Sequence, residues 1–568
     1  MNAQTLISQS STPRDTVEIQ LPDHRVLSGP RFTRLETFFQ VLPDWNQIPI
    51  MGAIVNNELR ELTYPIKMDA LVQPVTMADP DGARIYRRSL TFLLEIAFED
   101  LFPDVVLSID HSLTSGGFFC HVRGRPPLSC EELQSLEKRM HELVQANLPL
   151  ERQEVPLSEA VEFFRKKGYE DKVKLIEYRQ KSFLALYQVG EHRDYHHGYM
   201  VPSTGYLKWF ALMPMGDGFA LRFPRRQNTA ELLPMPESSS LLATFRQYRE
   251  WLSRLNVDTV GSLNEAIRAD RIREIILVSE ALHELKIAEI ASQIAARQQR
   301  VRVVLIAGPS SSGKTTFSKR LAVQLLAQGI SPFPLEMDNY FVDREKTPRD
   351  ALGQYDYETL EALDTALLSE HLQHLIAGDE VRIPSYSFIL GRSEPGPVIR
   401  LQRDQIIILE GIHGLNPRLI PEIPVESTFR IYISSLTALN LDRHNRISTT
   451  DTRLIRRIVR DARERGYSAQ QNIQRWESVR RGEERQIFPY QDYADEMFNS
   501  ALVYEMSALK PMAEPLLRQV PFGTPEYIEA KRLLAFLEWF MPVDEEWIPD
   551  NSILREFIGS SILRDFKF

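Results

Sequence analysis

A glycine-rich segment in the second half of the chain has the residue types needed to bind a chain of phosphates. Residues 308–316 read GPSSSGKTT and satisfy the pattern G-x-x-x-x-G-K-[ST]. Small side chains leave the backbone N–H groups free to point at phosphate oxygens, and the helix expected next adds partial positive charge. The pattern predicts that Lys314, also a catalytic residue, contacts the β- and γ-phosphates and that Thr315 binds Mg²⁺. The predicted ATP-binding residues are Gly308, Pro309, Ser310, Ser311, Ser312, Gly313, Lys314, Thr315 and Thr316.

Two acidic residues follow apolar runs that are typical of buried strands. Glu410 ends the run QIIILE, and Asp338 follows PFPLE in the stretch MDNYF. The carboxyl ends of parallel strands meet at one edge of a sheet, so both side chains should reach the phosphate loop. Glu410 is predicted to bind Mg²⁺, and Asp338 to be the base that accepts a hydroxyl proton. The alternatives are a surface carboxylate for Glu410 and an Asx turn with Asn339 for Asp338.

The segment 443–465 is dense in arginine. Its side chains at Arg453, Arg456, Arg457 and Arg460 have the spacing i, i+3, i+4, i+7, which puts them on one helical face. Such a face is predicted to close over a transferring phosphate, because each planar guanidinium can chelate two oxygens. The first three arginines are accordingly predicted to be catalytic. A salt-bridged surface helix is the alternative.

Length and composition limit the class of protein. The chain has 568 residues, more than one hydrophobic core usually supports, so several domains are expected. A net charge of −10 argues against non-specific nucleic-acid binding by the whole chain. Two cysteines, a polar N-terminus and the lack of an apolar run of roughly 20 residues predict a cytoplasmic protein without a membrane span.

The elements that must position these residues change along the chain. From residue 301, apolar strands alternate with amphipathic helices, which predicts an α/β fold whose parallel sheet is covered on both faces. Earlier segments predict a small β-rich module and an α+β region, followed by helices. The predicted units are a disordered tail (1–14), the β-rich module (15–77), the α+β region (78–228), a helical connector (229–300), the α/β domain (301–510) and a C-terminal helical extension (511–568).

A series of motifs in the α/β domain resembles the uridine kinase/phosphoribulokinase family of P-loop kinases. In order, these are GPSSSGKTT, MDNYF, YDYETLEALD, IPSYSF, IILEGIHGLN, DTRLIRRIVRDARERG and YADEMF. The likeness is closest to uridine-cytidine kinases and implies ATP- and Mg²⁺-dependent phosphorylation of a ribose 5′-hydroxyl. It implies that Asp338 is the catalytic base and that Asp356 holds the ribose hydroxyls. It further implies that Tyr386 lies against the base, with Tyr340 as another substrate-binding residue.

Two positions depart from that family. A histidine that reads the base shortly after the IPSYSF-like motif has no counterpart in ILGRSEPG, and Tyr467 stands where the family has an arginine. Both departures affect recognition of the base, so the nucleoside stays open. Two alternatives also stay open: a kinase for another small hydroxylated acceptor, such as a different nucleoside or a sugar phosphate, and an ATP-gated RNA-binding or regulatory protein.

The N-terminal half resembles the N-terminal region of threonyl-tRNA synthetase. Residues 15–77 look like its TGS domain, a β-grasp module. Residues 78–228 look like its editing domain, through RIYRRSLTFLLEIAFEDLFP, GGFFCHV, EELQSLEKRMHELV and VPSTGYLKWFAL. The resemblance implies a scaffold that contacts a ligand, RNA or tRNA, or the kinase domain. Whether the protein is a homo-oligomer is left open.

The editing chemistry of that family is not expected in this chain. The family uses the sets His-x-x-x-His and Cys-x-x-x-His, and the matching positions are Arg88, Phe92, His196 and Met200. Three of the four side chains cannot serve, so hydrolysis is not predicted. The local histidines 192, 196 and 197 could form a metal set, but a polar loop is favoured because no accompanying acid and cysteine set is visible.

Overall fold

The computed structural model describes residues 14–42, 49–113, 116–234, 239–349, 353, 355–387, 390–402 and 404–566. Apart from Arg14, the predicted tail lies outside these residues. Within the described residues, the helices are too short or too polar to cross a bilayer.

The first unit is a five-stranded mixed sheet with one helix. The strand order is β2-β1-β5-β3-β4, with β1 antiparallel to β2 and parallel to β5. Alternating residues of β1, Val17 and Ile19, are buried against Phe38 and Phe39 of the helix. This arrangement is the β-rich module that the sequence predicts. Its elements are β1 (Thr16–Gln20), β2 (Val26–Pro30), α1 (Leu35–Gln40), β3 (Ile50–Val55), β4 (Glu58–Arg60) and β5 (Ala70–Thr76).

The next unit packs long helices on two antiparallel sheets, ordered β11-β12-β7-β6 and β10-β9-β8. A capping box between Ser129 and Glu132 starts helix α3, as local side-chain chemistry favours. The elements are α2 (Pro80–Leu101), β6 (Val106–Leu113), β7 (Gly117–Arg123), α3 (Cys130–Ala146), β8 (Glu151–Pro156), α4 (Leu157–Lys166), α5 (Glu170–Glu177), β9 (Phe183–Val189), β10 (His192–Asp194), β11 (Ala211–Met215) and β12 (Gly218–Arg222). Three helices follow: α6 (Ser239–Arg254), α7 (Val260–Arg268) and α8 (Ile272–Ala296).

The parallel sheet of the second half confirms the predicted fold class. Its order is β14-β17-β13-β18-β19, and the neighbouring strands are parallel. On the central strand, Val304 and Ile306 pack toward Phe317 of α9, while Val303 and Leu305 pack toward the cluster that contains Leu368 of α10. Both faces are therefore covered, which explains the near-continuous apolar strands.

The elements of this half are β13 (Val303–Ala307), α9 (Lys314–Ala327), β14 (Ser331–Glu336), α10 (Thr365–Ala377), β15 (Glu380–Ser387), β16 (Arg392–Arg400), β17 (Gln405–Glu410), β18 (Thr428–Ser434), α11 (Thr449–Glu464), α12 (Ala469–Gln486) and β19 (Glu496–Asn499). Strand β19 and the hairpin of β15 with β16 were not predicted from the sequence. Strand β19 has four residues and pairs with β18, which is distant in sequence, and the hairpin strands are polar and contain prolines.

The C-terminal helices are α13 (Glu505–Arg518), α14 (Pro525–Leu537) and α15 (Arg555–Ile558). Helix α13 runs through the boundary predicted between residues 510 and 511, so the chain has no break there. One buried apolar cluster extends from Val155 to Ile558 and includes one face of the parallel sheet. The two halves therefore share a core, and the predicted division into units stays a prediction.

Candidate functional site

The phosphate loop joins β13 to α9 and is packed closely against a neighbouring strand. A Cβ at Gly308 would lie 2.0 Å from the carbonyl oxygen of Ile433 in β18, so no side chain fits there. Gly313 has φ +86 and Ser311 has φ 58, both in the left-handed region. The sharp reversal turns the loop backbone inward, as phosphate binding requires.

Two carboxylates accept hydrogen bonds from backbone N–H groups of this loop and helix. The N–H of Ser310 donates to Oε1 of Glu483 over 3.0 Å, and that of Thr316 donates to Oε2 of Glu556 over 3.2 Å. Lys314 Nζ donates to the carbonyl of Pro309 over 3.3 Å. These N–H groups lie at a helix N-terminus, where anions bind. The site is thus built to accept anionic oxygens, and Glu483 and Glu556 occupy two of the donors.

The predicted acids lie beside the loop. Strands β14 and β17 pair in parallel register, Glu336 opposite Glu410. Thr315 Oγ1 donates to Oε1 of Glu410 over 3.4 Å. Burial raises the pKa of Glu410 to about 7, against the opposing charge of Lys314. Desolvation also raises the pKa of Asp338 above its usual value, and again Lys314 is the main opposing charge. The structure therefore brings Lys314, Thr315, Glu410 and Asp338 together.

An aromatic wall follows the turn that holds Asp338. The ring centroids of Phe341 and Tyr386 are 5.6 Å apart, and those of Phe341 and Tyr357 are 5.9 Å apart. The N–H of Tyr386 donates to Oδ1 of Asn339 over 3.4 Å, which joins β15 to the turn. Tyr386 thus lies near the Asp338 turn, and its contact with a base stays a prediction.

Asp356 lies in the loop after this turn. Its Oδ1 accepts a hydrogen bond from the N–H of Glu358 over 3.1 Å. Burial raises the pKa of Glu358 to about 7; Glu483 and Asp356 add to the rise, while Arg457 and Lys314 oppose it. These electrostatic neighbours place the Asp356 loop beside the phosphate loop. The sequence analysis did not single out Glu358.

The prediction for Tyr340 is wrong. Its side chain is 1% exposed and belongs to the core cluster on one face of the parallel sheet. Its hydroxyl contacts Nδ1 of His371 over 3.2 Å. The short 3-10 turn Met337–Tyr340 directs Asp338 outward and Tyr340 inward, because residues two apart on such a turn face different ways.

Two of the three predicted catalytic arginines of α11 contact the loop: Arg457 through the side chain of Ser310, and Arg456 through the carbonyl of Ser311, to which its NH1 donates over 3.4 Å. Arg457 donates to Oγ of Ser310 over 2.9 Å. Arg453 is 1% exposed and donates to both oxygens of Glu483, over 2.5 and 2.6 Å. Arg456 is fully buried and donates from Nε to Glu505 over 2.7 Å.

The predicted closing role of Arg453 and Arg456 is therefore corrected. Their guanidiniums neutralise buried carboxylates, which would otherwise be costly charges. Local sequence could not show this, because Glu483 and Glu505 come from α12 and α13. The feature that reveals their role is the buried acid paired with each arginine, and only the tertiary structure shows these pairs.

The positions that match the editing site do not form a hydrolytic set. Arg88 NH1 donates to the carbonyl of Tyr199 over 2.5 Å. The rings of Phe92 and His196 have centroids 5.2 Å apart, and Met200 is buried.

The three local histidines do not converge on one point. His192 contacts Glu99 and Asp100, and His197 contacts the hydroxyl of Tyr195 over 3.1 Å. His196 contacts Glu95 over 3.1 Å. These separate contacts do not support a metal site formed by the three histidines.

A buried ionic network occupies the place of a metal near His196. Ligand atoms of Glu95, Asp194 and His196 lie within 4.8 Å of one another. However, Lys172 Nζ lies 2.8 Å from Asp194 and Nδ1 of His444 lies 3.0 Å from Asp194 and 3.2 Å from Glu95. These cations already compensate the carboxylates, so the network joins the two halves of the chain.

The C-terminal segment packs directly on the phosphate loop, which nothing in the sequence analysis predicted. A Cβ at Gly313 would lie 2.5 Å from Cγ2 of Ile553. The guanidinium of Arg456 lies 5.0 Å from the ring centroid of Phe557. Lys319 Nζ donates to the carbonyls of Leu563 and Arg564, over 2.7 and 2.8 Å. Together with Glu556, this segment forms one wall of the site.

In comparison with known proteins, the two halves of the chain match different families. Residues 303–506 match the model of the phosphoribulokinase/uridine kinase family. The N-terminal region is 33% identical over 170 residues to the threonine–tRNA ligase of Clostridium kluyveri, covering 30% of this chain and 26% of that protein. It is 30% identical over 205 residues to the enzyme of Thermotoga maritima, covering 36% of this chain and 31% of that protein.

The chain therefore spans about a quarter to a third of the length of these curated relatives. Among solved structures, a possible uridine kinase from Bacillus stearothermophilus is 26% identical. That match covers 23% of this chain and 70% of the other, with a TM-score of 0.20.

Proposed function

We propose that the protein is a nucleoside kinase, because residues 303–506 match the model of the phosphoribulokinase/uridine kinase family. It transfers the γ-phosphate of ATP to the 5′-hydroxyl of a uridine-like nucleoside. The observation that carries the proposal is the convergence of Lys314 and Asp338 beside the Thr315–Glu410 pair.

The ATP phosphates bind to the loop 308–316. Backbone N–H groups at Ser310 and Thr316 already hold carboxylate oxygens and would exchange them for phosphate oxygens. Lys314 supplies a full positive charge to the terminal phosphates. The loop binds the triphosphate by backbone geometry and charge.

Mg²⁺ fits the oxygen pair of Thr315 and Glu410, whose side-chain oxygens lie 3.4 Å apart. Hydroxyl and carboxylate oxygens are ligands that Mg²⁺ prefers. When bound, Mg²⁺ neutralises charge on the phosphates. Both ATP and Mg²⁺ belong to the proposal.

Asp338 accepts the proton of the acceptor hydroxyl during transfer. Lys314 favours the ionised carboxylate against the desolvation of the cleft. The wall with Tyr386 binds the nucleoside base, and Asp356 accepts hydrogen bonds from the ribose. Arg457 lies on the loop at Ser310 and would add positive charge to the transferring group.

The proposal is tested by ADP release from ATP and Mg²⁺ with a panel of nucleosides and sugar phosphates. Uridine-dependent turnover by the full-length protein, absent in Asp338→Asn, is the expected result. Turnover with a sugar phosphate and none with any nucleoside would identify the alternative acceptor. That acceptor is also an alcohol, so the roles of Lys314 and Asp338 would remain.

A second candidate function is an ATP-gated RNA-binding protein. The similarity of the N-terminal region to threonine–tRNA ligases favours it. In the same assay, a rate of ADP release that does not change with added nucleoside but changes with added tRNA would support this candidate. The cytoplasmic location and the oligomeric state stay predictions.

A further inference from the structure

A large cavity lies between the two halves of the chain; the phosphate loop does not line it, but its lining residue Arg453 binds Glu483, which accepts the Ser310 N–H. Its volume is about 470 Å³, within the usual size of small-molecule sites. Helix α2 and the β6–β7 hairpin form one side, and α11 and α12 form the other. The cavity includes Arg88 and His196, two of the positions that match the editing site of the synthetases.

The lining of this cavity is strongly cationic. Of the described residues that line it, nine are arginines and three are carboxylates. Those carboxylates already have arginine partners: Asp451 binds Arg532, Glu477 binds Arg226 and Glu484 binds Arg480. Within the described residues, four lining arginines have no carboxylate partner: Arg87, Arg88, Arg225 and Arg446.

The direct contacts of Arg87 and Arg446 are with aromatic rings and backbone carbonyls, and Asp451 acts on Arg446 only from beyond ion-pair distance. Arg87 lies 5.8 Å from the ring centroid of Phe223, and Arg446 lies 5.2 Å from that of Phe118. Nε of Arg446 is buried and has no hydrogen-bond partner within the described residues. Burial and neighbouring guanidiniums lower the pKa of Arg87 to about 9. An excess of charges of one sign in a partly enclosed space is costly unless an opposite charge binds.

We propose that this cavity is a binding site for a small polyphosphate, and specifically for a nucleoside polyphosphate. Arg87, Arg88 and Arg446 chelate the phosphate oxygens, because planar guanidiniums match phosphate geometry. Trp476 also lines the cavity, and its buried indole Nε1–H, which has no hydrogen-bond partner within the described residues, is a donor available to a base. The partly enclosed volume suits a nucleotide better than a folded RNA.

The test must separate this site from the phosphate loop. Titration calorimetry of the full-length protein with sodium tripolyphosphate, without Mg²⁺, should show two sites. In Lys314→Ala the loop site weakens, and the cavity site remains with unchanged affinity. Adding Arg87→Gln and Arg446→Gln to that variant should weaken the remaining site by about tenfold for each lost guanidinium.

The matched control carries Arg139→Gln and Arg165→Gln with Lys314→Ala. These two arginines are exposed and outside the cavity, so the net charge changes equally and the cavity site should persist. Binding in the Arg87→Gln/Arg446→Gln variant that equals this control would overturn the proposal. So would a wild-type protein in which all tripolyphosphate binding depends on Lys314.

Thermal unfolding without phosphate gives a second readout. Removing uncompensated charges should leave the melting temperature of the Arg87→Gln/Arg446→Gln variant equal to or above the control. A lower value would show that these guanidiniums support the fold, and would contradict a ligand-binding role.

The source of the ligand is decided by comparing ATP with tripolyphosphate in Lys314→Ala. Tighter binding of ATP supports a nucleotide, whereas equal affinity would overturn the nucleoside part of the assignment. If the Lys314→Ala variant bound an RNA hairpin but no tripolyphosphate, the whole cavity proposal would be overturned. Because these measurements need no turnover, failure of the nucleoside panel leaves the cavity assignment standing.

Discussion

At the scale of single residues, Lys314 is the main positive charge that acts on both Asp338 and Glu410. It opposes the raised pKa of both Asp338 and Glu410. We expect Lys314→Ala to abolish nucleoside-dependent ADP release, while Lys138→Ala, an exposed lysine of α3, leaves it intact. Activity within about tenfold of wild type, roughly 1.4 kcal/mol of barrier, would contradict the assigned role.

Asp338 is the second residue on which the mechanism depends. Asp338→Asn keeps the size of the side chain but cannot accept the hydroxyl proton. We expect ATP binding by calorimetry to be retained and the turnover rate to fall by about 10²–10⁴. A wild-type rate in this variant would remove Asp338 from the mechanism, whatever the affinity for ATP.

At the scale of elements, the C-terminal segment competes with the ligand of the phosphate loop. The carboxylate of Glu556 accepts the hydrogen bond of the Thr316 N–H, a donor at the start of α9. A phosphate must displace this carboxylate or share its donor. We therefore expect Glu556→Gln to strengthen ATP binding, by up to about tenfold, because the competing charge is removed.

The control for this variant is Glu545→Gln, an exposed acid earlier in the same segment. It should bind ATP as wild type does. Weaker ATP binding by Glu556→Gln would contradict this prediction, because it would mean that the Glu556 carboxylate helps to hold ATP instead of competing with it.

At the scale of the whole molecule, a buried ionic network connects the two halves. Glu95, Lys172 and Asp194 come from the N-terminal half, and His444 comes from the half that contains the parallel sheet. Two further bonds cross the same interface: Arg443 Nε donates to Asp171 over 2.9 Å, and Asn440 Nδ2 donates to the carbonyl of Ile109 over 3.0 Å. The N-terminal half is therefore packed on the half that contains the parallel sheet through charge pairs as well as apolar contacts.

This network predicts a pH dependence of stability. Burial disfavours the charged imidazolium, but the carboxylates of Glu95 and Asp194 outweigh it and raise the pKa of His444 to about 9. Because the pKa of His444 is higher in the folded state than in the unfolded state, where it is about 6.5, the protonated histidine stabilises the fold fully at pH values below about 6.5. This stabilisation is lost as the pH rises from about 6.5 to about 9. We expect a loss of about 3 kcal/mol over this interval.

The measurement is urea unfolding at several pH values between 6 and 9.5, roughly the interval set by the two pKa values. His444→Gln should show a smaller decline than wild type. An equal decline in both proteins would assign the pH dependence to other groups.

Some features could be predicted because they depend on contiguous residues. The phosphate loop follows from glycine and small side chains at fixed spacing, and the strand-end positions of Glu410 and Asp338 follow from apolar runs. The parallel sheet was predictable for the same reason, since burial on both faces leaves an apolar sequence.

Other features depended on which segments pack together, and local sequence does not encode that. The sequence by itself determined a phosphate-binding loop with two acids at the neighbouring strand ends, because backbone conformation and strand burial are local properties. The tertiary structure alone decided that Arg453 and Arg456 neutralise Glu483 and Glu505, and that Tyr340 faces the core. It also decided that four arginines with no carboxylate partner within the described residues meet in one cavity. Charges distant in sequence interact only after folding brings them together.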